Sequence, residues 1–140
     1  MAIRFFSEET SYRLKGKRML SSWIANVIHK ERFKAGSINF ILCSDDYLLQ
    51  INQAYLKHDT YTDIITFNHS EDPETIEGDI YISIERIKEN ASNLNIPFEK
   101  ELQRVLVHGI LHLTGYSDKT DKQKKVMRKK EDDCLEMIDS

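Results

Sequence analysis

His108-Gly109-Ile110-Leu111-His112-Leu113-Thr114-Gly115-Tyr116-Ser117-Asp118 sets two histidines four residues apart, then a glycine, then a carboxylate. On an α-helix, side chains at i and i+4 leave the same face, so both imidazoles can reach one ion at roughly 2.0–2.1 Å, the bond length of tetrahedral zinc. A helix that runs to Leu113 can end with Gly115 in the left-handed conformation, and that reversal swings Asp118 back toward the rings. The expected ligand set is His108, His112 and Asp118 around one zinc ion. The offsets of +4, +7 and +10 from His108 match the H-E-x-x-H-x-x-G-x-x-H pattern of zinc peptidases. Two positions depart from it: Gly109 stands where the glutamate base belongs, and Asp118 where the third histidine belongs. The chelating geometry is kept while the peptidase base is missing. Glycine inside a helix costs roughly 0.8–1 kcal/mol relative to alanine, so Gly109 marks a close approach of another element to the backbone.

Upstream, Pro97 suits a first helical turn, with Glu99 and Glu101 at the favourable end of the dipole. Phe98, Leu102, Val105, Leu106, Gly109 and Leu113 form the core stripe of this metal helix, while Glu101, His108 and His112 lie on an adjoining face. Downstream, Thr120 and Gln123 make a capping box for a final helix. Toward the N-terminus, Ile3 and Phe5 alternate with polar residues in a short strand, and Leu20, Trp23, Ile24, Val27 and Ile28 form one helical stripe. Ile38–Cys43 is an apolar run suited to a central strand, followed by a helix capped at Ser44 with Leu48, Ile51, Asn52 and Tyr55 inward. Thr62–Phe67 reads as a third strand. The polar stretch 69–78 then connects to a fourth, Asp79–Ile82, as an antiparallel neighbour. Ser83 caps a helix bearing Ile84, Ile87, Ala91 and Leu94, which Asn95-Ile96-Pro97 breaks. The expected class is α+β, a single domain over residues 1–140 with a roughly four-stranded sheet and its metal helix near the C-terminus.

The length suffices for one sizeable core and the composition is that of a globular chain. No apolar run approaches the length that spans a bilayer, and the start MAIRFF gives way to polar SEETSYRLK, too short and polar for a signal peptide. The expected location is the cytosol. Cys43 and Cys134 have no C-x-x-C spacing and read as free buried thiols. A net charge of −3 argues against a wholly basic nucleic-acid binder. It conceals a block, because Lys119–Lys130 holds seven basic residues against one acidic, followed by Glu131-Asp132-Asp133.

The segment HGILHLTGYSD, with TDIITF and GDIYIS upstream in the same order, resembles the YbeY family of bacterial rRNA maturation factors. The correspondence runs from about the second strand to the end of the chain. The resemblance implies a zincin-like α+β fold with a mixed sheet, one zinc ion, and single-strand-specific endoribonuclease activity on 16S rRNA in ribosome maturation and quality control. It carries His108 and His112 onto two zinc ligands. The third is usually histidine in the family and is Asp118 here; a carboxylate is an ordinary zinc ligand but leaves the ion less net charge with which to acidify its water. Leu56 follows Tyr55 where the family usually has an arginine suited to phosphate, and Lys57, His58 and Arg104 are the candidates to replace it.

RNA cleavage needs an activated nucleophile and stabilisation of a charged transition state, and a zinc site with an open position supplies much of both. No general base is evident. Glu101, His58, His69 and Asp63 are the candidates, each with a structural role as its competitor. In the final helix Lys122, Lys124, Lys125, Arg128 and Lys129 fall opposite Val126, Met127, Cys134, Met137 and Ile138, which should pack on the domain. Its basic N-terminal half opposes the macrodipole by about a few tenths of a kcal/mol per charge, an order that stability alone does not favour. Lys122, Lys125 and Lys129 are therefore expected to meet RNA phosphates, although Lys129 and Asp133 can also pair at i, i+4. Three functions compete: a zinc endoribonuclease acting on single-stranded rRNA, a ribosome-assembly binding protein with a structural metal and the small subunit as partner, and a peptidase.

Overall fold

The computed structural model describes residues 2–57 and 60–139. The first strand, β1 (Ala2–Glu8), leads into α1 (Lys17–Lys30), β2 (Lys34–Cys43) and α2 (Asp45–Leu56). An antiparallel pair, β3 (Ile64–Asn68) and β4 (Thr75–Ser83), precedes α3 (Ile84–Leu94), α4 (Phe98–Leu113), which carries both histidines, and α5 (Asp121–Asp139). The sheet order is β1-β2-β4-β3, with β1 parallel to β2 and β2 parallel to β4. The result is the α+β class with a mixed four-stranded sheet, and β3 is an edge strand.

The alternation of β4 shows why the sheet is two-sided. Ile76, Gly78, Ile80 and Ile82 are buried on one face, whereas Glu77, Asp79 and Tyr81 stand between them on the other. The first face carries the main core, where Ile24, Ile28, Ile80, Leu106 and Ile110 are fully buried, each contributing roughly 1.5–3 kcal/mol relative to exposure. The opposite face carries a smaller cluster in which Leu48 of α2 covers Cys43 and Ile65. β2 lies between β1 and β4 and is apolar from Phe40 to Cys43 on both faces, as a strand covered on each side must be.

Several local readings hold. Ser44 accepts from the Tyr47 amide at 3.0 Å and Ser83 from the Arg86 amide at 3.2 Å. Both bonds of the Thr120–Gln123 capping box form, at 3.1 Å each. The α1 stripe is buried throughout, and Trp23 donates from Nε1 to the Cys134 carbonyl at 2.8 Å, tying α5 to α1. Both cysteines are free and buried; burial pushes the Cys43 thiol up to about 12 and the Cys134 thiol up to about 11, so neither is a ready nucleophile.

Other readings need correction. β4 begins at Thr75 rather than Asp79, because Thr75 and Ile76 continue the ladder beside Lys34 and Ala35 and Ile76 enters the core. Thr75–Gly78, the last four residues of the supposed connector, are therefore strand. β3 begins at Ile64, with Thr62 and Asp63 ahead of it; the Asp63 carbonyl accepts from the Ser83 amide at 3.0 Å. Pro97 is the N-cap of α4, one place before its first turn. Tyr55 is 68 % exposed rather than inward, its ring meeting Phe67 edge-on at 5.9 Å. Leu94, at the last position of α3, is also exposed. Val126 belongs to the solvent side of α5, whose packed stripe runs through Met127, Lys130, Glu131 and Cys134.

Candidate metal centre

Near its C-terminal end α4 holds the two histidines one turn apart, with ring centroids 4.6 Å from each other. Beyond them the chain reverses at Gly115, whose φ is +113°, a conformation that L side chains rarely adopt. The reversal is bonded as a helix terminus: the Gly115 amide donates to the His112 carbonyl and the Tyr116 amide to that of Leu111, both at 3.0 Å. Tyr116 then anchors the returning segment, its hydroxyl donating to Glu31 at 2.7 Å while Lys130 binds the other oxygen of Glu31 at 3.1 Å. This brings Asp118 Oδ2 to 3.4 Å from His108 Nε2 and 3.5 Å from His112 Nε2. One ligand atom from each residue lies within 4.8 Å of the other two, so the group can hold a metal ion.

The chemistry of the donors fits a cation. A backbone carbonyl can only accept, so the 3.0 Å contact of His112 Nδ1 with the Tyr116 carbonyl requires a proton on Nδ1. His108 Nδ1 meets Glu131 Oε2 at 2.5 Å, and in the neutral ring that nitrogen donates as well. With both rings neutral, the Nε2 atoms turn lone pairs toward a carboxylate oxygen. Three acceptors facing one another repel unless a positive charge lies between them, and the observed separations are close to the edge of a zinc tetrahedron, about 3.3–3.4 Å. His108 and His112 are partly buried and Asp118 is 40 % exposed, so the group opens to solvent on the carboxylate side.

Behind His108 stands a cluster that the motif does not contain. Arg104 binds Glu131 Oε1 at 3.0 Å from Nη1 and also holds both oxygens of Glu101. Glu101 is completely buried and Glu131 nearly so. Burial pushes the Glu131 carboxyl up, but the hydrogen bonds from His108 and Arg104 and the charge of Arg104 outweigh it and hold it below the usual carboxylate range. Burial opposes the charge on Arg104 too, and its bonds to Glu101 and Glu131 overcome that and strengthen its hold on the proton.

The structure brings His108, His112 and Asp118 together and scatters the other candidates. Arg104 is committed to two carboxylates. Glu101 is sealed from solvent by the same ion pair. His69 pairs with Asp79 at 3.1 Å, and Asp79 stands on the sheet face opposite α4. Lys57 is exposed in a left-handed conformation at the end of α2, Leu56 before it is half exposed, and Asp63 precedes β3. His58 lies outside the described residues. Lys122, Lys125 and Lys129 are exposed on α5, with Lys129 bonded to Asp133 at 3.1 Å. Gly109 faces the sheet, where an added Cβ would stand 3.0 Å from both Ile64 and Ile80. Any side chain there must displace those isoleucines, and a glutamate would carry its carboxylate into the apolar core rather than to the histidines. Glu131 escaped the motif reading, yet its place between Met127 and Cys134 on an apolar stripe was a signal: a charge at a core position needs a partner.

Residues 4–139 match the family described as Endoribonuclease YbeY. The chain belongs to the YbeY endoribonuclease family. Among YbeY proteins, one from Cytophaga hutchinsonii is 50 % identical over 96 % of this chain and 94 % of its own length. One from Flavobacterium psychrophilum is 48 % identical over 95 % of this chain and 94 % of its own. Both carry the name Endoribonuclease YbeY. The solution structure of TM1509 from Thermotoga maritima superposes with a TM-score of 0.67 at 33 % identity, covering 98 % of this chain and 89 % of that one. Among the described residues no helix is long and apolar enough to cross a membrane.

Proposed function

We propose that this chain is a metal-dependent endoribonuclease specific for single strands, that its ion is zinc, and that it acts on 16S rRNA in ribosome maturation and quality control. The convergence of His108, His112 and Asp118 on one point carries the reading, and the endoribonuclease name of the relatives supports the substrate class. Zinc is favoured by a small mixed nitrogen and oxygen donor set. An ion bound there supplies acidification of a water and polarisation of a phosphoryl oxygen.

The chain's own residues hold and orient. The Tyr116 carbonyl and Glu131 keep the Nδ1 protons of the two rings, Asp118 brings the negative charge of the ligand set, and the exposed lysines of α5 offer contacts to the phosphate backbone. The working compartment in this reading is the cytoplasm, with single-stranded rRNA and the small ribosomal subunit as partners. The test uses protein freed of contaminating nucleases and loaded with zinc. It should cut single-stranded rRNA, lose activity with chelator and lose it on His112→Ala. Cleavage that survives His112→Ala means another site or a contaminant.

A second reading has one observation behind it. Glu101, the base candidate on the metal helix, is locked in an ion pair, as a ribosome-assembly protein with a structural metal allows. That reading predicts stoichiometric zinc and ribosome association with no turnover of RNA.

A further inference from the structure

His108 is reached by a carboxylate from a different helix, and that carboxylate is fixed in turn. Glu131 Oε2 meets His108 Nδ1 at 2.5 Å while Oε1 accepts from Arg104 at 3.0 Å, so both oxygens are engaged and the group has one orientation. Arg104 is itself clamped by Glu101, which is fully buried. The chain of contacts is therefore Glu101, Arg104, Glu131, His108, ending at the Nε2 that faces Asp118. Every described buried side-chain nitrogen and oxygen has a partner, so the arrangement has no slack through which the ring could flip at no cost.

Stability alone does not account for the composition of this chain. Two carboxylates share a single guanidinium, and the same interior space filled with apolar side chains is often equally or more stable. The surplus acceptor is the one turned to the imidazole. A carboxylate on the far nitrogen fixes a ring's tautomer and raises the basicity of its ligating nitrogen. His112 is served by a neutral backbone carbonyl instead, so the two rings are unequal.

We infer that Glu131 is the positioning residue of the metal centre: it holds the proton of His108 on Nδ1, presents Nε2 to the cation, and is kept in place by Arg104 and Glu101. It touches neither the ion nor the RNA. α5 thus belongs to the metal centre through its buried side, although its ligands come from α4 and the loop beyond. The inference rests on the metal reading above.

The experiment has two arms. In the first, zinc dissociation constants are measured by competition with a chromophoric chelator for the wild type, Glu131→Gln and Glu131→Asp. Both variants should bind zinc 10- to 100-fold more weakly, the usual consequence of removing such a partner. The aspartate variant keeps the charge but draws the carboxylate back from the ring, so it separates reach from charge. In the second arm, 15N-edited NMR of the metal-free protein, above the titration of the imidazoles, reads the tautomers. The wild type should show Nδ1–H on both rings. Glu131→Gln should shift His108 toward a tautomer mixture while His112 stays as it was, a contrast that general loosening does not produce. A wild type with His108 protonated on Nε2 overturns the assignment without any variant. Wild-type zinc affinity in folded Glu131→Gln overturns it alone, whereas a wild type that takes up no zinc overturns the metal reading and this inference together.

Discussion

The two sides of α5 carry similar residues and do different work. On the outer side Lys122, Lys124, Lys125, Arg128 and Lys129 stand in water, and the Lys129–Asp133 pair has side chains 77 % and 39 % exposed. Such a pair is screened and contributes about 0.3–0.5 kcal/mol. On the inner side Lys130 reaches Glu31, beside the tyrosine that anchors the returning loop, and Glu131 reaches His108 and Arg104. Glu131 and its neighbour Glu101 are buried, so removing their shared partner Arg104 leaves charges with nothing to replace it. One short run of charges therefore holds a solvated surface and the support of a ligand.

Stripping the inner side should have the largest effect. Arg104→Met leaves Glu101 and Glu131 without their shared cation and should lower unfolding free energy by about 3–5 kcal/mol in urea titrations. A loss below about 1 kcal/mol, the surface range, would erase the distinction between the two sides.

A smaller effect should follow pH. The folded carboxyl of Glu131 is held below its unfolded value of about 4.3, so its stabilisation is complete above that value and is lost as pH falls through the lower folded one. Acid unfolding curves of the wild type should carry this component, and Glu131→Gln should lack it. Coincident curves would show that the carboxylate titrates as it does in the open chain.

The outer side should respond least in stability. Changing Lys122, Lys125 and Lys129 together to glutamine should leave urea midpoints almost unmoved, each exposed site falling within about 0.5 kcal/mol. The salt dependence of RNA binding should flatten by up to about 0.7 per lost phosphate contact on a single strand. An unchanged slope removes this side from the RNA footprint.

Legibility followed range. The caps at Ser44, Ser83 and Thr120, the α1 stripe and the grouping of His108, His112 and Asp118 are readable because each depends on residues a few positions apart. Thr75–Gly78 reads as loop because Ile76 is its single apolar residue, and pairing with the bulged start of β2 is what makes it strand. Periodicity points Tyr55 inward, but the α2 side of the sheet carries only a small cluster and leaves the ring in solvent. Glu101 and Arg104 stand at i, i+3 on α4 and can pair locally, but nothing near them in the chain reveals that Glu131 of α5 closes the group across the helix interface.

That His108, His112 and Asp118 can converge is legible in the amino-acid order, because the rise of one helical turn and the left-handed freedom of Gly115 are local properties of the backbone. The tertiary structure alone decided which nitrogen of His108 is turned to the cluster, which charges of α5 are screened, and that Gly109 lies against Ile64 and Ile80. Those outcomes depend on burial and on partners distant in sequence, and neither exists until the helices pack on the sheet.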